Sequence, residues 1–208
     1  MSDTVTGWPR LVLATANQHK IIELTRILAA SSVAVEIVGL DQFPGAPDVA
    51  ETGATFTENA LLKAVAIAEF TSLPAVADDS GLCAEALNGM PGVLSARWAG
   101  RHGDDAANLR LVLDQLSDVP DDRRGAHFIC VAALVLPSDQ EFISEGTVHG
   151  SLIREPRGVN GFGYDPIFVP DGESHTTGEL SAADKDAISH RGRALRGLVP
   201  AIADQLRA

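Results

Sequence analysis

Asp78 and Asp79 stand side by side in the octapeptide AVADDSGL (75–82), where a short apolar run meets two carboxylates, a hydroxyl and a glycine. On an extended strand, neighbouring side chains point to opposite faces, so the pair does not read as a mere cluster of charge, and one of the two is expected to be aimed at a target. Glu51, ahead of a glycine-containing turn in AETGATFTENALLKA (50–64), and Lys63 on the following helix add a carboxylate and a cation. If Glu51, Lys63 and Asp79 converge, the carboxylates can hold a hard divalent ion such as Mg2+, which uses one or two carboxylates, waters and substrate phosphates. The lysine would then meet phosphate oxygens, and an aspartate beside the ion can orient or deprotonate a water. A plainer reading makes Asp78, Asp79 and Ser80 an Asx-type turn and Lys63 a surface lysine lying along apolar neighbours.

Two further stretches carry chemistry. TANQHK (15–20) lies where a strand hands over to a helix, so unpaired backbone N–H groups and the positive dipole end favour an anion. Thr15 and Asn17 add side-chain donors and Lys20 a full charge, although the glycines of a Walker A loop are absent. Alternatively, Asn17 caps the helix and Lys20 is solvated. In GVNGFGYDPIF (158–168), glycines on both sides of Phe162 allow close backbone approach to a flat ligand, and the ring can stack on a nucleobase. His190 and Arg191 in DKDAISHRG (184–192), with backbone donors near Asp165, can hydrogen-bond a base edge. The alternative is a turn with Phe162 and Tyr164 in the core and His190-Arg191 as a helix-end charge cluster. No G-x-S-x-G elbow, H-E-x-x-H or zinc-type Cys/His grouping supports serine or zinc hydrolysis.

These residues need a scaffold. RLVLAT (10–15) reads as a strand, and Ile21, Leu24, Ile27 and Leu28 share one face of the helix after it. A second strand is expected over 33–40, then a Pro/Gly loop, then a helix announced by the capping-box pair Thr55 and Glu58 and ended by Leu73-Pro74. AVA reads as a short buried strand ending at the aspartates, with Ser80-Gly81 making a close turn; 81–87 is open between strand and helix. A helix over 104–116, two long strands within 126–149 joined around Ser138-Asp139, and a mainly helical 181–206 interrupted near SHRG complete the pattern. Alternating strands and helices with one hairpin predict an α/β fold with a mixed β-sheet and flanking helices, in one domain over 1–208.

The net charge of -12 excludes a general nucleic-acid binder, whose affinity is built from basic residues spread over a face, yet allows a small anionic ligand held by a few cations. The first residues lack the apolar core of a signal peptide and no stretch has the length to span a bilayer, so no membrane partner and a cytoplasmic location are expected. Cys83 and Cys130 sit among small apolar residues and read as buried reduced thiols.

Together LATANQHK, ETGATFTENALLKA, ADDSGL, PGVLSARWAG, GFGYDPIF and AISHRG resemble, in order and over nearly the whole chain, the inosine triphosphate pyrophosphatase family. The resemblance implies an elongated mixed-sheet fold of two lobes around a central substrate cleft, and a homodimer. It implies Mg2+-assisted attack of water on the α-phosphorus of ITP, dITP and XTP, giving the monophosphate and pyrophosphate and cleansing the nucleotide pool. It further implies that Thr15, Ala16, Asn17, Gln18, His19 and Lys20 bind triphosphate with Lys63 assisting. Glu51 and Asp79 would hold the metal, Asp79 would serve as base, and Ser80 would lie near the substrate. Phe162, Gly163, Tyr164, Asp165, Lys185, His190 and Arg191 would surround the base. The register of the strand leaves Asp78 open as an alternative base. Ala16 and Asn160 stand where the family often has glycine, which touches loop conformation and no proposed catalytic group. Two rival readings remain: a pyrophosphatase of modified pyrimidine triphosphates, and a nucleotide-binding regulatory module without turnover.

Overall fold

A computed structural model describes residues 7–15 and 17–206; within the first helix, the side chain of His19 is outside the described set. Six strands, β1 (Arg10–Leu13), β2 (Glu36–Val38), β3 (Ala75–Ala84), β4 (Gly125–Val135), β5 (Glu141–Leu152) and β6 (Phe168–Pro170), form one sheet in the order β2-β1-β3-β4-β5-β6. β1 pairs in parallel with β2 and β3, whereas β5 and β6 are antiparallel, so the expected mixed α/β architecture is present. Five helices accompany the sheet among the described residues: α1 (Gln18–Ala30), α2 (Phe56–Thr71), α3 (Asp105–Gln115), α4 (Ala182–Ile188) and α5 (His190–Gln205).

The chain divides into two compact units, and β3, β4 and β5 contribute residues to both. The first comprises the described residues within Met1–Asp79, Val131–Glu145 and Gly192–Ala208. In its core Ala60, Ala64, Ile67 and Ala68, spaced along one face of α2, pack with Val12, Val38, Ala75, Ala77 and Val131 of the strands. The small alanines let the helix lie close to the sheet. Thr55 caps α2 by accepting from Glu58 N at 3.1 Å, while Glu58 Oε2 accepts from Ala54 N at 2.6 Å. The two orphan donors are therefore met much as a capping box meets them, with Glu58 reaching one residue beyond the cap.

The second unit comprises Ser80–Cys130 and Gly146–Arg191. Its core joins Leu82, Phe128, Val148, Leu152 and Phe168 to Val112 and Leu116 of α3. Phe128 and Phe168 meet edge to face with centroids 4.7 Å apart. Arg124, 2% exposed, donates to three carbonyls, Leu152 O (2.7 Å), Leu116 O (2.6 Å) and Ile153 O (3.2 Å), and so ties α3's end to β5. Both cysteines are buried thiols outside any disulfide, as expected.

Several expectations change. β2 is confined to Glu36–Val38 instead of filling 33–40. The turn at Ser80-Gly81 does not exist: β3 runs ten residues from Ala75 to Ala84, and Glu85–Leu87 forms a 3-10 turn. With β1 and β4 as its neighbours in the sheet, the strand is held extended through Asp78-Asp79-Ser80, and tertiary pairing overrides the turn-forming composition. The aspartates are consequently mid-strand residues rather than a strand end.

Candidate functional site

Alternation along β3 sends the two carboxylates to different partners. Asp78, 9% exposed, takes Lys20 Nζ on both oxygens at 2.9 Å, a forked pair in which strand and helix α1 hold each other. Asp79, 7% exposed, takes Asn59 Nδ2 on Oδ2 at 3.0 Å and lies 3.5 Å from Lys63 Nζ through Oδ1. Lys63 also donates to Glu51 Oε1 at 2.7 Å, so one ammonium bridges the two carboxylates that the sequence singled out. Asn59 and Lys63 are one helical turn apart on α2, which is why both reach the same aspartate.

Burial alone would lower the pKa of Lys63, but Asp79, Glu51 and Asp78 together outweigh it and hold the ammonium above its usual range. Three carboxylates (Glu51, Asp78, Asp79) and two ammoniums (Lys20, Lys63) leave this set with an excess of negative charge. Such an excess suits a cation. The donor set is hard oxygen, and one cation already sits in contact with both Glu51 and Asp79, so these residues fit Mg2+. Among the described residues no group of three or more His, Cys, Asp or Glu could hold a metal, so the remaining ligands would be water and phosphate.

Thr15 and Asn17 lie between β1 and α1. Thr15 Oγ1 accepts from Asn17 N at 3.1 Å, and Asn17 O accepts the first helical bond from Lys20 N at 3.1 Å. Gln18 is the first residue of α1 and is exposed. The expectations for Ala16 and for the His19 side chain lie outside the described residues.

In the second unit Ser80, Phe162, Gly163, Tyr164, Asp165, Lys185, His190 and Arg191 line one cavity of about 130 Å³. Phe162 is 58% exposed, so it is not a core residue; Lys185 Nζ lies 4.8 Å and the Arg191 guanidinium 5.6 Å from its ring centre. Asp165 is buried and organises the loop: it accepts from Phe162 N (2.8 Å), Thr177 Oγ1 (2.9 Å) and Lys185 Nζ. A side chain at Gly161, whose φ is +77°, would run into that carboxylate. Tyr164, by contrast, is a core residue that also borders the cavity, its hydroxyl donating to Ser95 O at 2.8 Å. Burial, with Asp105 adding to it, pushes its phenol well above the usual range, so it stays a donor. His190, the first residue of α5, stacks on Phe128 with centroids 4.9 Å apart.

Sequence reasoning missed Asn59, Phe128, Ser95 and Asp105. Asp105 opens α3, lines the same cavity and accepts from Gly163 N at 2.9 Å. Of these only Asn59 left a signal, its four-residue spacing from Lys63.

The arrangement in the first unit can bind anions through two lysines, hold a divalent ion and offer a carboxylate to a water. That in the second can take a flat polar ring beside Phe162, with cationic donors at hand. Compared with known proteins, the chain is 59% identical to a protein named dITP/XTP pyrophosphatase from Streptomyces coelicolor, over 95% of this chain and 98% of that one. A protein of the same name from Nocardia farcinica is 58% identical over 93% of this chain and 95% of its own. The crystal structure of a nucleoside-triphosphatase, dITP/XTP pyrophosphatase, from Mycobacterium abscessus matches with a TM-score of 0.77 at 55% identity, covering 92% of this chain and 99% of that one. A HAM1 protein from Coxiella burnetii gives 0.86 at 43% identity over 94% and 99%. The Ham1 family itself is matched across residues 11–201, in line with the resemblance seen in the motifs, and the chain belongs to it.

Proposed function

We propose that this chain hydrolyses non-standard purine nucleoside triphosphates, ITP, dITP and XTP, to the monophosphate and pyrophosphate, removing deaminated purines from the nucleotide pool. The observation that carries the reading is the Glu51–Lys63–Asp79 cluster, two carboxylates on one ammonium. The dITP/XTP pyrophosphatase named above, with which the chain shares 59% identity, supports it. Residues 15–20 and Lys63 are assigned to the phosphates, and the cavity of the second unit to the base. Glu51 and Asp79 would hold Mg2+, which when bound supplies Lewis-acid neutralisation of phosphate charge.

Asp79 accepts a proton from the attacking water as its oxygen bonds to the α-phosphorus. The bond from that phosphorus to the bridging oxygen breaks, and pyrophosphate leaves with the electron pair. Lys20, aimed by Asp78, and Lys63 stabilise the charge that develops. Asp78 is thus assigned to orienting Lys20, which leaves the base role to Asp79. At the base, Lys185, His190 and Arg191 offer donors to a 6-keto oxygen, whereas the 6-amino group of adenine presents donors to donors. A homodimer in the cytoplasm belongs to the same reading. Among the described residues no helix is long and apolar enough to cross a membrane.

The test is pyrophosphate release from a panel of triphosphates including modified pyrimidines. Turnover confined to ITP, dITP and XTP supports the assignment. Preference for a pyrimidine, or tight binding without release, replaces it with one of the two rivals.

A further inference from the structure

We propose that Asn59 is a positioning residue for the hydrolytic step: its carboxamide fixes the orientation of the Asp79 carboxylate and locks the Glu51 loop to it. Asn59 is fully buried. Its Nδ2 donates to Asp79 Oδ2 at 3.0 Å, and its Oδ1 accepts from Gly53 N at 2.8 Å. One planar group therefore joins strand β3, helix α2 and the turn two residues after Glu51. The bond to Oδ2 leaves Oδ1 turned to Lys63. A carboxylate free to rotate presents either oxygen; one clamped by a buried amide presents a fixed one, which proton abstraction in a defined geometry requires.

The turn is built to make this contact. A Cβ on Gly53 would lie 2.6 Å from Glu58 Cβ and 2.8 Å from Asn59 Oδ1, so only glycine lets the backbone N–H close on the amide. Asn59 also starts the ladder of α2, its own N bonding to Thr55 O at 3.2 Å, and it stands one turn before Lys63. No shorter, longer or purely acceptor side chain meets both partners. Aspartate keeps an acceptor for Gly53 but replaces the amide donor with a second carboxyl that must share a proton with Asp79; leucine, of similar size, loses both contacts.

The inference rests on Asp79 being the base, and its test separates the two claims. Turnover of dITP with Mg2+ is measured for the native protein, Asp79→Asn, Asn59→Asp and Asn59→Leu, with thermal melting of each. Amide exchange at Gly53 and the Asn59 side-chain amide signal are read by NMR without nucleotide. Both Asn59 variants are expected to lose about 10- to 100-fold in kcat, the range for groups that orient a ligating residue, with KM changed less than about threefold. Gly53 should stay protected in Asn59→Asp and exchange in Asn59→Leu. One Asn59 amide proton should resonate downfield in the native protein and return in a further variant, Asp79→Ala, made for the NMR and melting measurements because it removes the acceptor entirely. Native kcat in both variants overturns the proposal. So does loss confined to Asn59→Leu and tracking Gly53 exchange, which makes Asn59 a loop staple only. An Asn59 signal indifferent to Asp79→Ala overturns it independently of turnover. Native-level turnover by Asp79→Asn instead indicts the assignment of the base.

Discussion

Replacing Lys63 with methionine keeps an unbranched side chain of similar length at that position of α2 and removes the ammonium between Glu51 and Asp79. The lysine side chain is 18% exposed, Glu51 20% and Asp79 9%, so the contacts are only partly screened by water. The 2.7 Å bond to Glu51 is charge-assisted, a class worth about 1.5–3 kcal/mol. The 3.5 Å contact with Asp79 is longer, adding about 0.5 kcal/mol by comparison with exposed pairs, and residual exposure trims the sum. A loss of about 2–3 kcal/mol is therefore expected in urea unfolding at pH 7 with EDTA, or about 4–12 °C in Tm for a chain of this size. Saturating Mg2+ should restore more stability to Lys63→Met than to the native protein, since the ion replaces the missing charge. The sign of the pH dependence follows from the raised pKa of Lys63. Its contribution is present in full below the ordinary value of 10.5 and is lost as pH rises through the higher folded value. Tyr164 adds a similar alkaline decline in both proteins, so the difference between them isolates the lysine. A variant within about 0.5 kcal/mol of native, the scatter of ordinary surface substitutions, would refute the reasoning.

Phe162→Ala should leave stability within about 1 kcal/mol, because the ring is 58% exposed, yet raise KM for dITP about 5- to 150-fold if a base stacks there at about 1–3 kcal/mol. Steady-state kinetics beside a melting curve checks both halves; an unchanged KM contradicts the stacking assignment. Arg124→Met leaves three carbonyls without their donor in a buried place and should cost about 3–5 kcal/mol, read by denaturant unfolding. A loss under about 1 kcal/mol would mean that water replaces the guanidinium.

Much of this protein was legible in its residues, and the exceptions share a cause. Thr55 and Glu58 announced α2, Asp139 sits in the turn between β4 and β5 with φ +63°, and the break near SHRG falls at Ser189 between α4 and α5. These are local signals read within one turn of chain. The strand through Asp78-Asp79-Ser80-Gly81 was not legible, because its extension comes from pairing in the sheet and its composition favours a turn. β6, three residues long, likewise exists through its register with β5, Leu152 opposite Phe168. At the site, residue types singled out Glu51, Lys63 and Asp79, which the fold brings together. Asn59 shows only its four-residue spacing from Lys63, and its role is not legible until its two partners, six and twenty residues away, are known.

The proposed function is that of a Mg2+-assisted pyrophosphatase in which Asp79 is the base. It is tested most directly by pyrophosphate release from dITP, ITP, XTP, GTP and ATP, with and without Mg2+, for the native protein and Asp79→Asn. Mg2+-dependent release from the first three, little from GTP or ATP, and loss of about 10³-fold or more in the variant, the scale on which a base and its electrostatics act, is the predicted result. Release that survives in Asp79→Asn, or that favours GTP and ATP, would contradict it.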